Sequence, residues 1–74
     1  MIKMPEGTIL PEWARYIAQD TDGTVYAFGD RPLWKLPWQF WKPQDSHELT
    51  EVFIGEPYEC DYDDEGRIEP VVAK

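Results

Sequence analysis

The chain has 74 residues and a mass of 8.7 kDa, so it holds one domain over residues 1–74 and buries only about 60% of its unfolded surface, too little for a deep substrate cleft. Hydrophobic residues make up 42% and charged residues 30%, the balance of a globular chain, and one Cys with one His leaves no internal disulfide and no ordinary four-ligand zinc site. A net charge of −8 disfavours direct binding to nucleic acid or to an anionic membrane, both of which need clustered Lys and Arg.

Residues 1–11 carry Pro5, Gly7 and Pro11 and read as an irregular arm, with Ile9 and Leu10 tucked onto the core. Trp13–Phe28 then reads as a hairpin around Asp20-Thr21-Asp22-Gly23, because Gly at the end of such a turn accepts positive φ without steric cost. A helical reading of Trp13–Gln19 competes, since Pro11 suits a first helical position. Strand is preferred, because Thr24-Val25-Tyr26-Ala27-Phe28 is a strong strand sequence and needs a partner. A turn of two or four residues would put Trp13, Ile17, Tyr26 and Phe28 on one face. Ala14, Tyr16, Ala18, Val25 and Ala27 would fall on the other. Two apolar faces imply a strand pair covered on both sides.

The stretch Leu33–Pro43 holds Trp34, Trp38, Phe40 and Trp41 among prolines, which forbid a long helix or a central strand. An extended or turned segment is expected, its rings lying over the hairpin or on a partner. Asp45 and Glu48 have the spacing of a capping box, Leu49, Val52 and Phe53 share a helical face, and Gly55 and Pro57 stop the chain. The spacing predicts a short helix over 46–54, with the β-prone run Val52-Phe53-Ile54 as the competing signal. Tyr58, Cys60 and Tyr62 alternate with acids, Asp63-Asp64-Glu65-Gly66 makes a turn, and Ile68 and Val72 resume the alternation. This predicts a second hairpin, in which Pro70 confines the last strand to an edge. The expected fold class is α+β: two hairpins in a small antiparallel sheet with one short α-helix on a face.

The charge is lopsided. Residues 1–43 hold five acids and five bases, whereas residues 44–74 hold ten acids and two bases, so the whole excess lies in this acidic half. A patch of this sign attracts a basic partner and speeds encounter with it.

Catalytic chemistry finds no support. His47 lies at an expected helix start without a buried partner, and Cys60 has four acids nearby, which oppose thiolate formation. Asp20-x-Asp22-Gly23 matches the opening of a calcium loop, but the twelfth position is Arg31 rather than Glu. No enzyme, cofactor or metal site is therefore expected. The aromatic strip is the most specific feature. Core filling accounts for most of it, and one or two exposed Trp would serve as binding anchors.

The run Trp13-Ala14-Arg15-Tyr16-Ile17-Ala18-Gln19-Asp20-Thr21-Asp22-Gly23-Thr24-Val25-Tyr26-Ala27-Phe28, followed by Pro32 and Trp34 or Trp38, resembles a pattern of small uncharacterised phage and prophage accessory proteins. The likeness covers about residues 13–41 and does not reach the acidic half. It implies an accessory protein acting in a bacterial host cytoplasm, and it brings no catalytic residues. The function expected from residues and resemblance together is non-enzymatic binding that inhibits or modulates a host protein with a basic surface. In the sharper form the chain is a DNA mimic set on a nucleic-acid-binding protein. The residues expected to carry it are Asp45, Glu48, Glu51, Glu56, Glu59, Asp61, Asp63, Asp64 and Glu65, with Trp38 and Trp41. The alternative is a structural module that forms a homo-oligomer through its Trp-rich strip.

Overall fold

The computed structural model describes residues 2–45, 47–61 and 64–71. Six strands follow in order: β1 (Tyr16–Gln19), β2 (Thr24–Phe28), β3 (Leu33–Lys35), β4 (Phe40–Lys42), β5 (Leu49–Ile54) and β6 (Arg67–Pro70). Four of them form an antiparallel sheet in the order β5-β2-β1-β6, and β3 and β4 form a separate hairpin. The described residues contain no helix, so the expected α+β class is corrected to all-β.

The first hairpin forms where the sequence places it, but with the opposite pairing of faces. Gly23 N–H donates to Asp20 O at 2.9 Å and Asp20 N–H to Thr24 O at 3.0 Å, enclosing a loop of three residues that ends on Gly23 at φ +99°. An odd loop shifts the register by one relative to a loop of two or four, and a one-residue slip exchanges the faces of one strand. Ile17 therefore pairs with Ala27 and Ala18 with Tyr26. Ile17, Val25 and Ala27 share a core with Ile2 and Ala14, on which Leu10, Trp13, Val52, Phe53 and Val71 pack. Ala18, Phe28 and Trp41 form a second core on the opposite face, with Tyr16, Tyr26, Trp34 and Ile68.

Both faces of the central strands are thus covered, and neither cover is a helix. The arm lies on one side. It is anchored by buried Ile2, whose backbone N–H donates to Glu69 Oε2 at 3.0 Å, while Ile9 stays 88% exposed rather than tucked inward. The β3–β4 hairpin lies on the other. Trp34 and Trp41 are directly opposed across it, with ring centroids 5.0 Å apart, and they face the sheet.

Ser46 lies outside the described residues, and Leu49–Ile54, in place of the expected helix over 46–54, forms strand β5, paired with β2. Its β-branched and aromatic residues gain more as a half-covered strand than as one helical turn with little to pack on. The helical spacing of Leu49, Val52 and Phe53 has another cause. The β2–β5 register shifts at Val25/Tyr26, leaving Val52 as the extra residue of a bulge, so Val52 and Phe53 both reach the arm-side core. The Asp45 amide, which a capping box would give to the Glu48 side chain, donates to Asp30 Oδ2, and the Glu48 carbonyl accepts from Gly29 N–H.

The second hairpin does not form either. β6 pairs with β1, where Pro70 ends an edge strand as the sequence suggests, but Tyr58–Asp61 is not a strand. That segment crosses the first turn: Gly55 N–H donates to Gly23 O at 2.7 Å and Tyr58 N–H to Thr21 O at 3.0 Å. The Tyr58 hydroxyl donates to Gln19 O at 2.6 Å and accepts from Arg67 N–H at 3.1 Å. The buried Gln19 side chain completes the junction, with Nε2 donating to Gly23 O and Oε1 accepting from Arg67. Tyr62, Asp63 and Val72, which the hairpin reading used, lie outside the described residues.

Candidate functional site

β5 is the outer strand on one side of the sheet and, with six residues, the longest. The bonds from Gly29 N–H to Glu48 O and from Gly55 N–H to Gly23 O fix which way its backbone points. Antiparallel alternation then directs the amides of Thr50 and Phe53 at β2 and those of Leu49, Glu51 and Ile54 away from the sheet. Glu51 stands opposite Tyr26 and Leu49 opposite Phe28, on the face that carries the β3–β4 hairpin. Ile54, opposite Thr24, shares that face. The hairpin packs over β1, so this margin stays uncovered: Leu49 is 42% and Ile54 70% exposed.

Acids surround this margin. Asp20, Asp22 and Glu51 all act on Tyr26, whose hydroxyl is held above its ordinary pKa by burial and then by those three charges. Asp20 is itself raised. Burial opposes its charged form and Asp22 adds repulsion, while the Trp41 amide, donating to Asp20 Oδ1 at 2.9 Å, partly offsets both. Asp45 and Glu48 precede β5 and Glu56 follows it. Further along, Glu59, Asp61, Asp64 and Glu65 line a shallow polar cleft of about 380 Å³ with Tyr58, Cys60 and Arg67. The Cys60 thiol is pushed up by desolvation and by Asp64 and Asp61.

Every expected acid that is described is exposed: Asp45, Glu48, Glu51, Glu56, Glu59, Asp61, Asp64 and Glu65. Asp63 lies outside the described residues. Asp45, Glu48, Glu51 and Glu56 lie on or beside β5, whereas Glu59, Asp61, Asp64 and Glu65 line the cleft. Bases sit beside part of this charge: Lys3 and Arg67 line one pocket with Ile54 and Glu56. Arg31 meets Glu65 at 3.2 Å in an exposed ion pair, and Arg67 lies over the Tyr58 ring at 4.2 Å while bonding Gln19.

The two Trp expectations separate. Trp38, in the β3–β4 connection, is 74% exposed, with Phe40 as its ring neighbour at 6.5 Å. Trp41 is 4% exposed and belongs to the core, so it is withdrawn from the partner-facing set. Among the described residues its indole N–H and that of Trp34 are buried without hydrogen-bond partners, a cost that the packing area of the two rings must outweigh. Asp20, Asp22 and Tyr26 join the margin although the sequence reading left them out. The signal that would have found them is the three-residue turn, which sends Tyr26 to the hairpin face. Among the described residues no three His, Cys, Asp or Glu side chains gather as a metal site, and no helix is long and apolar enough to cross a membrane. No protein-family model, curated protein or solved structure matches the chain.

Proposed function

We propose that the chain is a protein-binding module whose acidic β5 margin engages a cationic surface on another protein. In the phage-like setting suggested by residues 13–41, that partner is a host protein that handles nucleic acid. The observation that carries this reading is the exposure of all eight described acids from Asp45 to Glu65, with no Lys or Arg in the sequence between Lys42 and Arg67. Exposed like charge held on a sheet margin steers a basic partner into place and discriminates against acidic ones. Uncovered apolar side chains at Leu49, Ile54 and Trp38 supply the contact area that charge alone lacks.

The homo-oligomer alternative loses most of its basis. Trp34 and Trp41 pack inward, leaving Trp38, Leu36 and Leu33 as the exposed large apolar side chains of the strip.

Capture from bacterial lysate, run at low and at raised salt with the bound protein identified by mass spectrometry, tests the proposal. A basic partner retained at low salt, released by salt and lost by a Glu48→Gln/Glu51→Gln/Glu56→Gln variant is the expected result. Retention that ignores both salt and the triple substitution would refute it.

A further inference from the structure

We infer that the β5 edge binds its partner by strand addition, taking an extended segment that alternates basic and apolar residues. This rests on the cationic-partner reading above and gives it a binding mode. An outer strand offers unpaired amides and carbonyls as a template, and extended peptides dock on such edges through main-chain bonds. The outward amides of Leu49 and Glu51 have the two-residue spacing that an antiparallel ladder requires. The bulge at Val52 limits the continuous ladder to that end, and Ile54 adds an apolar contact beyond it.

The two edges of the sheet differ. β6 has four residues, ends on Pro70, and uses Glu69 to hold the Ile2 amide. β5 is longer, and Leu49–Ile54 contains neither Lys nor Pro; its protections are the bulge at Val52 and the charge of Glu51, which leave the Leu49–Glu51 end open to a basic strand. Leu49, Glu51 and Ile54 present an apolar–acidic–apolar series on one face, whose complement is an apolar–basic–apolar strand. A second copy of this chain does not fit. Self-pairing would bring the stretch holding Glu48, Glu51 and Glu56 against its own copy, with no Lys or Arg in the sequence between Lys42 and Arg67.

The test uses the full isotope-labelled chain at low salt and three probes: a capped peptide alternating valine and lysine, its valine–glutamate counterpart, and tetralysine. The valine–lysine peptide is expected to slow exchange of the Leu49 and Glu51 amides by about tenfold or more at saturation, and the glutamate peptide to leave them unchanged. Glu51→Pro removes an outward amide together with the Glu51 charge while sparing the amides that face β2, and it should weaken the valine–lysine peptide by about tenfold more than Glu51→Gln, which removes the charge alone, at an unchanged melting temperature. If Glu51→Pro fails to fold, Glu51→Lys keeps the amide, and it should lose the lysine peptide while gaining the glutamate one. Binding of the valine–lysine peptide or tetralysine with both amides exchanging freely in the presence of either would overturn strand addition and leave the cationic-partner reading standing. Failure of every cationic probe to bind would remove both. Protection of both amides without peptide, in a chain that sediments as a dimer, would give the edge to a second copy and overturn the inference.

Discussion

Gly23→Ala probes the contact on which the fold turns. Gly23 has φ +99°, in the left-handed region, where an L side chain costs about 1–2 kcal/mol. An added Cβ would also collide with Gly55 O and lie 2.9 Å from the Glu56 carbonyl carbon, so the obstruction is backbone and cannot rotate away. Relief requires the 55–58 crossover to lift, which breaks or stretches the bonds from Gly55 N–H to Gly23 O and from Tyr58 N–H to Thr21 O. At about 0.5–1.5 kcal/mol each, these bring the expected loss to about 2–5 kcal/mol. A chain of this length has about 4–11 kcal/mol in total, so the variant sits near the threshold of folding. Gly7→Ala is the control: φ is +85°, but nothing lies within 4 Å of its Cβ, and strain alone predicts about 1–2 kcal/mol. Urea unfolding followed by tryptophan fluorescence measures both. Equal losses at the two glycines would show that the crossover does not bear on the turn, and the account of the second half of the chain would fail with it.

Asp20→Ala should cost about 1–3 kcal/mol by leaving the Trp41 amide without its acceptor, whereas Asp20→Asn keeps an oxygen there and should match or exceed wild type at neutral pH. Because the folded state raises the Asp20 pKa, its contribution is full below the ordinary carboxylate range and is lost as pH rises through the raised value. The advantage of Asn should therefore shrink in acid, and urea midpoints at acid and neutral pH check the sign. Trp41→Ala should cost about 3–5 kcal/mol and Trp38→Ala less than about 0.5 kcal/mol. Acrylamide quenching of intrinsic fluorescence should fall sharply only in Trp38→Phe. Cys60 should alkylate more slowly than a free thiol at mildly alkaline pH, and Asp64→Asn should speed it, because Asp64 helps to hold the thiol protonated.

The legible parts of the sequence were those in which one local signal dominated. Asp20-Thr21-Asp22-Gly23 fixed the hairpin, and the two apolar faces of Tyr16–Phe28 announced covers on both sides. The facing was illegible, because loops of two, three or four residues share the same turn letters and differ only in parity. β5 was misread since a bulge at Val52 puts two successive residues inward, as a helical turn does. The failure of the second hairpin was also invisible. Tyr58 alternates like a strand residue, yet its hydroxyl satisfies Gln19 O and the Arg67 amide, bonds that depend on residues 39 and 9 positions away. In the proposed site, the acids and Trp38 could be found by composition. Tyr26, Asp20 and Asp22 needed the register, and the burial of Trp41 needed the tertiary packing.

Neighbouring residues of β1 belong to different interiors: Ile17 to the one beneath the arm, Ala18 to the one beneath the β3–β4 hairpin. β1 and β2 therefore act as a party wall between two rooms, each with its own roof. Either roof can lift while the wall stands, so partial opening on one side need not announce itself on the other. A partner pressing on the hairpin side could loosen or tighten that half while leaving the arm undisturbed.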